Sequence, residues 1–574
     1  MKIKHLFGLA VIAAMTASCS SNEDLGTADP GTGTNEAGVG YATFSINLPT
    51  TSGTRAGSDP TFDKGDDDEY KVNDATLLIF KKVKETDKEG DYTFVESAEL
   101  GSMAPWKDPT EQGVTTHAKI TAKLEQVDKT DGYYALVLLN NGTGKNVKVT
   151  LPEKNAKFSD WNVDTNKDKE ATNKIANYDN GFYMANAPLF KDNNVTTLVA
   201  IDKDKIYPTE EQAAKSAATD VYVERGLAKV SLGTGTTTAK PVTSVTYQGD
   251  EVTISKWALD VTNKKAYPIH NVDGLTTEFP TIWSNDATTA STTNKATTQR
   301  FVDNNDKTSV KRVYWGKDPN YDNKDNDKTA LNAEFNYVAN ANVKEDPDKP
   351  LYCLENTFNL DNMKQGQTTR VVFKATYKPA SIAKGATFYK IGKNTAIWSE
   401  ADLEKEIKAA VASVVSGAAG KTTVTLNAPN NNITAAGTHY ITADNITVTD
   451  VEAETIEKAI TAINTQLGLK ESEKVGISTY EGGESYYIAR IKHFGDALTN
   501  WKSGTYGENN LEYLGRYGVL RNNWYVLTVQ SVSGPGYPSV PEVKPNTPDD
   551  EDDNYINVSV KILSWAKRSQ DVNL

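Results

Sequence analysis

From residue 41 to 48 apolar and polar positions alternate: Ala42, Phe44, Ile46 and Leu48 fall on one face, and Thr43, Ser45 and Asn47 on the other. That period of two belongs to a strand buried on one side. Strand-like runs recur at residues 75–80, 118–124, 133–139, 196–201, 221–232, 245–254, 370–377 and 524–529, and Gly, Asn, Asp and Pro separate them. Strands this numerous, without regularly intervening helices, predict a mainly all-β chain of sandwiches rather than a parallel sheet. Helical spacing is convincing in two places, both in the C-terminal half. Ser399 can cap a helix with Leu403, Ile407, Ala410, Val411 and Val414 on one stripe, ended by Gly417; a second stripe runs Ile456, Ala459, Ile460, Ile463 and Leu467 before Gly468.

The segments between these elements are as informative. Residues 6–15 form an apolar run behind Lys2 and Lys4 that is too short to span a bilayer, and Thr16, Ala17 and Ser18 lead into Cys19. This predicts a lipoprotein signal peptide, 1–18, with Cys19 as the lipidated residue, although Thr16 stands where a leucine is usual; a plain secretory signal is the alternative. Residues 20–40 read as a flexible tether. Residues 49–60 are small and polar, with Arg55 exposed in the middle, and 232–241 (LGTGTTTAKP) is the best internal boundary. Residues 534–554 hold five prolines and then five consecutive acids, a composition expected neither to pair in a central sheet nor to enter a core. Directly afterwards Ile556, Val558, Val560 and Ile562 alternate with Asn557, Ser559 and Lys561, up to Trp565. A well-patterned strand at the end of such an arm is expected to dock away from its own sheet.

Composition narrows the classes. At 574 residues two to four domains are expected, and 62 Lys+Arg against 76 Asp+Glu give a net charge of −14, which repels a phosphate backbone; no nucleic-acid partner is expected. The two cysteines, Cys19 and Cys353, exclude a disulfide-stapled scaffold and a cysteine-rich zinc site, and Cys353, within LYCL, reads as a buried small hydrophobe. The five histidines (His5, His117, His270, His439, His493) are scattered, and HExxH, GxSxG and Walker motifs are absent, so no enzyme and no cofactor are predicted. Asp164, Asn166 and Asp168 begin like an EF-hand loop, but Lys169 and Ile175 stand where Gly and Glu are needed. The acidic runs at 66–68, 318–327 and 549–553 read as solvated loops, not metal sites.

Several stretches, VYVERGLAKVSL (221–232), RVYWGKDPNY (312–321), YCLENTF (352–358), LGRYGVLRNNWYVLTV (514–529) and the terminal INVSVKILSWAKR (556–568), give the chain a resemblance over nearly its whole length to the type V fimbrillins of Bacteroidia, most closely the shaft subunits of short, Mfa-type fimbriae. These stretches are packing elements: Tyr517, Trp524 and Tyr525 can anchor a sandwich, and Glu224 or Arg225 is a candidate for a buried pair. The resemblance implies two transthyretin-like Greek-key sandwiches, at 56–238 and 239–533, the second decorated by helices. It implies export as a lipoprotein on the outer membrane, then cleavage between Arg55 and Ala56 by an arginine-specific protease, which removes propeptide 19–55 with the strand of Ala42, Phe44, Ile46 and Leu48. The strand in 555–574, with Ile556, Val558, Val560, Ile562 and Trp565, is then the donor that fills the groove of another copy in a surface fimbrium. Implied partners are other copies, anchor and accessory or tip subunits, the protease, and host or bacterial receptors. The alternatives are a monomeric surface lipoprotein binding carbohydrate or host protein, a fimbrial anchor or tip subunit, and a secreted hydrolase with an acidic site.

Overall fold

The computed structural model describes residues 32–49, 66–101, 114–127, 132–143, 147–163, 175, 178, 180–191, 194–278, 311–321, 328–357, 360–493, 517–549 and 556–564. The first half is one curled sheet in the order Thr93–Glu99, Ala75–Lys82, Gly132–Leu139, Met184–Asn186, Thr219–Arg225, Gly40–Pro49, Val114–Leu124, with Val199–Ile201 added beside Gly132–Leu139. Its two end strands approach each other. The Glu96 carboxylate accepts from the backbone N–H of Glu125 (2.9 Å) and Gln126 (3.0 Å), so the sheet nearly closes.

Inside the curl lie Phe44, Ile46 and Leu48 with Leu77, Ile79, Val137, Leu139, Val221 and Val223. The opposite side of the same two central strands, Leu78, Phe80, Leu136 and Leu138, is covered by Phe158, Tyr183 and, from far along the chain, Ala266, Ile269 and Leu354. Burial on both faces explains why ATLLIF and YYALVLL are continuous apolar runs while residues 41–48 alternate.

The chain passes from the first sheet to the second at Gly226 and Leu227, ahead of the Gly/Thr-rich segment expected to mark the boundary. A Cβ on Gly226 would meet the Tyr183 ring at 2.9 Å, so a side chain is excluded there. Residues 221–232, read as one run, are therefore two strands in two sheets. Ala228–Leu232 lies between Leu351–Cys353 and Asn523–Val532, and Ile556–Ser564 completes that sheet. A second four-stranded sheet, Lys240–Pro241, Glu251–Asp260, Arg370–Lys378 and Glu484–Arg490, packs against it around Trp257, Phe373, Tyr487, Tyr525 and Leu527. The run read at 245–254 begins late: Val245–Tyr247 is a 3-10 turn, and Gly249 at φ +91° turns the chain into Glu251–Asp260.

The two long helices are Glu400–Val414 and Ala453–Gln466. Ser399 Oγ accepts from Asp402 N (3.3 Å), and Leu403, Ile407, Ile456 and Ile463 meet in a core of their own with Tyr389, Ile433 and Ile477. The mainly β architecture with helices in the C-terminal half is the one the pattern predicts.

The Pro/acid arm is different from its expectation. As far as Asp549 it is a strap fastened to the second sandwich. The hydroxyls of Tyr487 and Tyr480 donate to the carbonyls of Gly534 and Gly536 (both 2.9 Å), Tyr486 and Tyr537 exchange backbone bonds (2.8 Å), and Arg370 Nη2 donates to Pro541 O (2.8 Å). Farther on, Gln365 N donates to Thr547 O (2.9 Å) and Thr368 Oγ1 to the Asp549 carboxylate (2.9 Å). Proline brings no N–H that must be satisfied, so a proline-rich segment held largely through its carbonyls lies against a core at low polar cost. Tetherlike composition thus concealed a docked segment.

A pH effect follows from the first domain. Glu89 turns its carboxylate onto the backbone N–H of Thr197 (2.8 Å) and Leu198 (2.6 Å), and removal from solvent pushes it up to about 7. Because the folded value lies above the ordinary 4.5, the associated stability is intact below 4.5 and lost as pH rises through about 7. Urea midpoints of the wild type should fall across that window, and those of Glu89→Gln should fall less; parallel curves would contradict the assignment.

Candidate functional site: an internal first strand and a terminal strand

Gly40–Pro49 is an internal strand. It runs parallel to Thr219–Arg225, with Phe44 opposite Thr219 and Ile46 opposite Val221, and antiparallel to Val114–Leu124, from Gly40 opposite Leu124 to Leu48 opposite Thr116. Ala42, Phe44, Ile46 and Leu48 have no solvent exposure (each 0%). On the other face Thr43 Oγ1 donates to Ala213 O (2.7 Å) of the short helix Glu210–Lys215, which roofs the strand. At its start Tyr41 and Tyr207 exchange both backbone bonds (2.8 Å).

Among the described residues Val114–Leu124 has no other ladder partner. Taking Gly40–Pro49 away therefore opens two strand edges and an apolar slot at once. Phe44, Ile46 and Leu48 account for about 1.5–3 kcal/mol each of burial free energy, and the two open edges add unsatisfied N–H and C=O groups. A strand of the same length and period is what such a slot accepts.

The second element is Ile556–Ser564. It lies antiparallel on Asn523–Val532, with Leu563 opposite Trp524, Val560 opposite Leu527 and Val558 opposite Val529, as the outer strand of its sheet. In the single chain, then, it pairs with its own sheet rather than away from it. Ile556, Val558, Val560 and Ile562 keep the spacing of Ala42, Phe44, Ile46 and Leu48, on strands of 9 and 10 residues.

Between the two elements lies a joint of buried charges that the sequence did not disclose. Glu69, in the short helix Asp67–Tyr70, is 2% exposed. Its Oε1 accepts from Lys229 Nζ (2.6 Å) and Tyr352 Oη (2.5 Å), its Oε2 from Asp66 N (3.0 Å), and its carbonyl from Arg225 Nε (2.9 Å). Lys229 Nζ also sits 3.7 Å from the centre of the Trp524 ring. Burial pushes the Arg225 guanidinium down to about 10, against the Glu69 charge, which raises it. Glu224 and Arg225 are neighbours on opposite faces of their strand and find separate buried partners: Glu224 meets His270 Nδ1 (2.8 Å) while Arg225 reaches Glu69 and Asn522. Glu355 and Arg521 form a further buried pair.

The remaining predicted residues fall as follows. Cys19, Arg55, Ala56 and Trp565 lie outside the described residues, as do His5 and the loop of Asp164, Asn166 and Asp168. Tyr517 and Tyr525 are buried and Trp524 packs beside the first core. Cys353 is buried, which pushes its thiol up to about 12. His439 Nε2 meets Ala435 O (2.8 Å) and His493 Nδ1 meets the Tyr525 hydroxyl (2.6 Å). Of the acidic stretch 318–327, Asp318 turns inward and accepts from Asn320 N, Asn320 Nδ2 and Thr357 N. Among the described residues no group of three or more His, Cys, Asp or Glu is placed to hold a metal ion.

Residues 478–571 match the family model described as major fimbrial subunit protein type IV, fimbrillin, C-terminal. The C-terminal region is therefore similar to that of a fimbrillin. The fimbrillin match takes in the strand Asn523–Val532, the strap and the terminal strand laid on it. No curated relative matches the sequence. Solved structures similar to the chain include a putative cell adhesion protein from Parabacteroides distasonis (10% identity, 92% of this chain and 98% of that chain, TM-score 0.37). A fimbrial assembly protein from the same organism is similar at 11% identity (62% and 94%, TM-score 0.24). The tip fimbrial protein Mfa3 from Porphyromonas gingivalis, with C-terminal truncation, is similar at 11% (92% and 100%, TM-score 0.25). None of these scores reaches 0.5.

If the slot belongs to a removable strand, Phe44→Ala should lower the stability of the intact precursor by about 3–5 kcal/mol. After proteolysis in residues 50–65 and loss of the strand, variant and wild type should have the same urea midpoint. A difference persisting in the trimmed chains would contradict that placement.

Proposed function

We propose that this chain is a structural subunit of an adhesive surface fimbrium, resembling the shaft subunits of Mfa-type fimbriae, and that it polymerises head-to-tail by strand exchange. The observation that carries the reading is the internal position of Gly40–Pro49, the first strand of the chain, which separates two edges and fills a core. The precursor is exported and anchored on the outer membrane through lipid on Cys19. An arginine-specific protease cuts between Arg55 and Ala56, and the strand leaves with the propeptide. The terminal strand Ile556–Ser564 of another copy then enters the slot.

Strand exchange suits the physics of both ends. An incoming strand satisfies the opened backbone groups and supplies alternating apolar side chains, which an isolated side chain cannot do. Each subunit has one slot and one donor in different domains, so the contact is heterologous and propagates as an open filament instead of closing. No catalytic role is assigned; anchor and accessory or tip subunits, and host or bacterial receptors, are the remaining proposed partners.

Arg55→Ala, with nearby basic sites checked, should leave lipidated monomer on the cell, and removal of residues 555–574 should leave a folded chain that forms no SDS-resistant ladder. Abundant normal filaments from the first variant would remove the cleavage site, and long filaments from the second would remove the donor.

A further inference from the structure

Once residues 40–55 are gone, the next strand along the chain is Ala75–Lys82, an internal strand of the sheet that must keep its shape to accept a donor. Nothing in a β-ladder prevents a freed end from peeling into the next element; a fixed point is needed, and Glu69 is placed to be one. We propose that Glu69 is the clamp at which loss of the N-terminal strand stops, holding residues 66–72 on the second sheet so that processing opens the slot without unravelling the strand behind it. This rests on the reading that Gly40–Pro49 leaves after cleavage.

Two partners of the Glu69 carboxylate, Lys229 and Tyr352, come from the second sheet. Lys229 is the register partner of both Tyr352 and Trp524, so the three side chains form a row across three adjacent strands of the second sheet. Glu69 caps that row: Lys229 Nζ and the Tyr352 hydroxyl point to one carboxylate oxygen (2.6 and 2.5 Å), and the other accepts from Asp66 N, closing the turn on itself. Tyr352 is held in turn by the rings of Tyr178 and Phe182, at 4.7 and 4.9 Å. Both members of the Glu69–Lys229 pair are 3% exposed at the side chain, so separating them strands two charges out of water. None of these contacts involves the departing strand. The hydrogen bonds of the clamp therefore keep their partners when that strand leaves.

Just beyond it Asn140 fixes the chain a second time, donating to Lys71 O (2.8 Å) and accepting from Asn73 N (2.7 Å). The peptide bond after Lys71 thus lies between two anchors, and its susceptibility to trypsin reports whether they hold.

The test is limited trypsin digestion of the dilute full-length precursor, followed by intact mass and gel filtration. The wild type should be cut first at Arg55 or Lys64 and then persist as a trimmed chain. Glu69→Gln should be cut first at the wild-type rate, then release a product beginning at Val72 at least about tenfold faster, because proteolysis follows the open population. Tyr352→Phe keeps both charges and the ring contacts, and should show a smaller increase even if Glu69→Gln fails to fold. Wild-type rates at Lys71 in every variant that folds would overturn the clamp. Retention of the 40–49 fragment on gel filtration would instead overturn the reading on which the clamp rests, and neither outcome depends on whether filaments form.

Discussion

An internal strand drawn from one end of the chain is an unusual thing for a sheet to depend on. Gly40–Pro49 joins Thr219–Arg225 to Val114–Leu124, and the latter has no other ladder among the described residues. Backbone groups at a sheet interior have to be paired, and Phe44, Ile46 and Leu48 have to be out of water. Those two requirements make the domain complete only while a strand occupies that position, whichever chain provides it. The near-closure at Glu96 sharpens the requirement, since the curl keeps the two edges facing each other across a slot one strand wide.

The rest of the chain distributes rigidity around that slot. The strand beside it continues through Gly226 into the second sheet, so the slot and the sheet that carries the terminal strand are joined by a single stretch, Thr219–Arg225 to Ala228–Leu232, with the Glu69 joint packed at its bend. The strap to Asp549 belongs to the second sandwich, which leaves six residues between the last anchor and Ile556. At about 3.3–3.6 Å per residue, a terminal strand that leaves its own sheet starts within roughly 25 Å of Asp549. If that strand is the donor proposed above, chain length rather than a long free linker bounds the spacing between copies.

How much of this the sequence made readable depended on whether one local rule decided the outcome. Alternation at 41–48 and 556–562 placed two strands because one-sided burial writes itself into every second residue. Ser399 and Gly468 marked helix ends because caps have few chemical solutions. Composition misled where long-range contacts decide: the proline-rich strap binds through carbonyls that every residue type possesses, and the domain crossing is set by the room Tyr183 leaves at Gly226. The Glu69 joint was invisible for the same reason. Its four partners are scattered from Asp66 to Tyr352, and an acidic run at 66–69 looks solvated until the sheet is laid over it.

The central claim is that the terminal strand has to leave its own sheet and enter another copy. Thr528 and Ser559 are register partners on the two strands, and directly opposed strand residues stand within disulfide reach. In Thr528→Cys/Ser559→Cys an oxidised intrachain bond should keep the protease-trimmed protein monomeric on gel filtration, and a reductant should release it into SDS-resistant ladders. Filaments forming equally well with that bond shown intact would contradict the account.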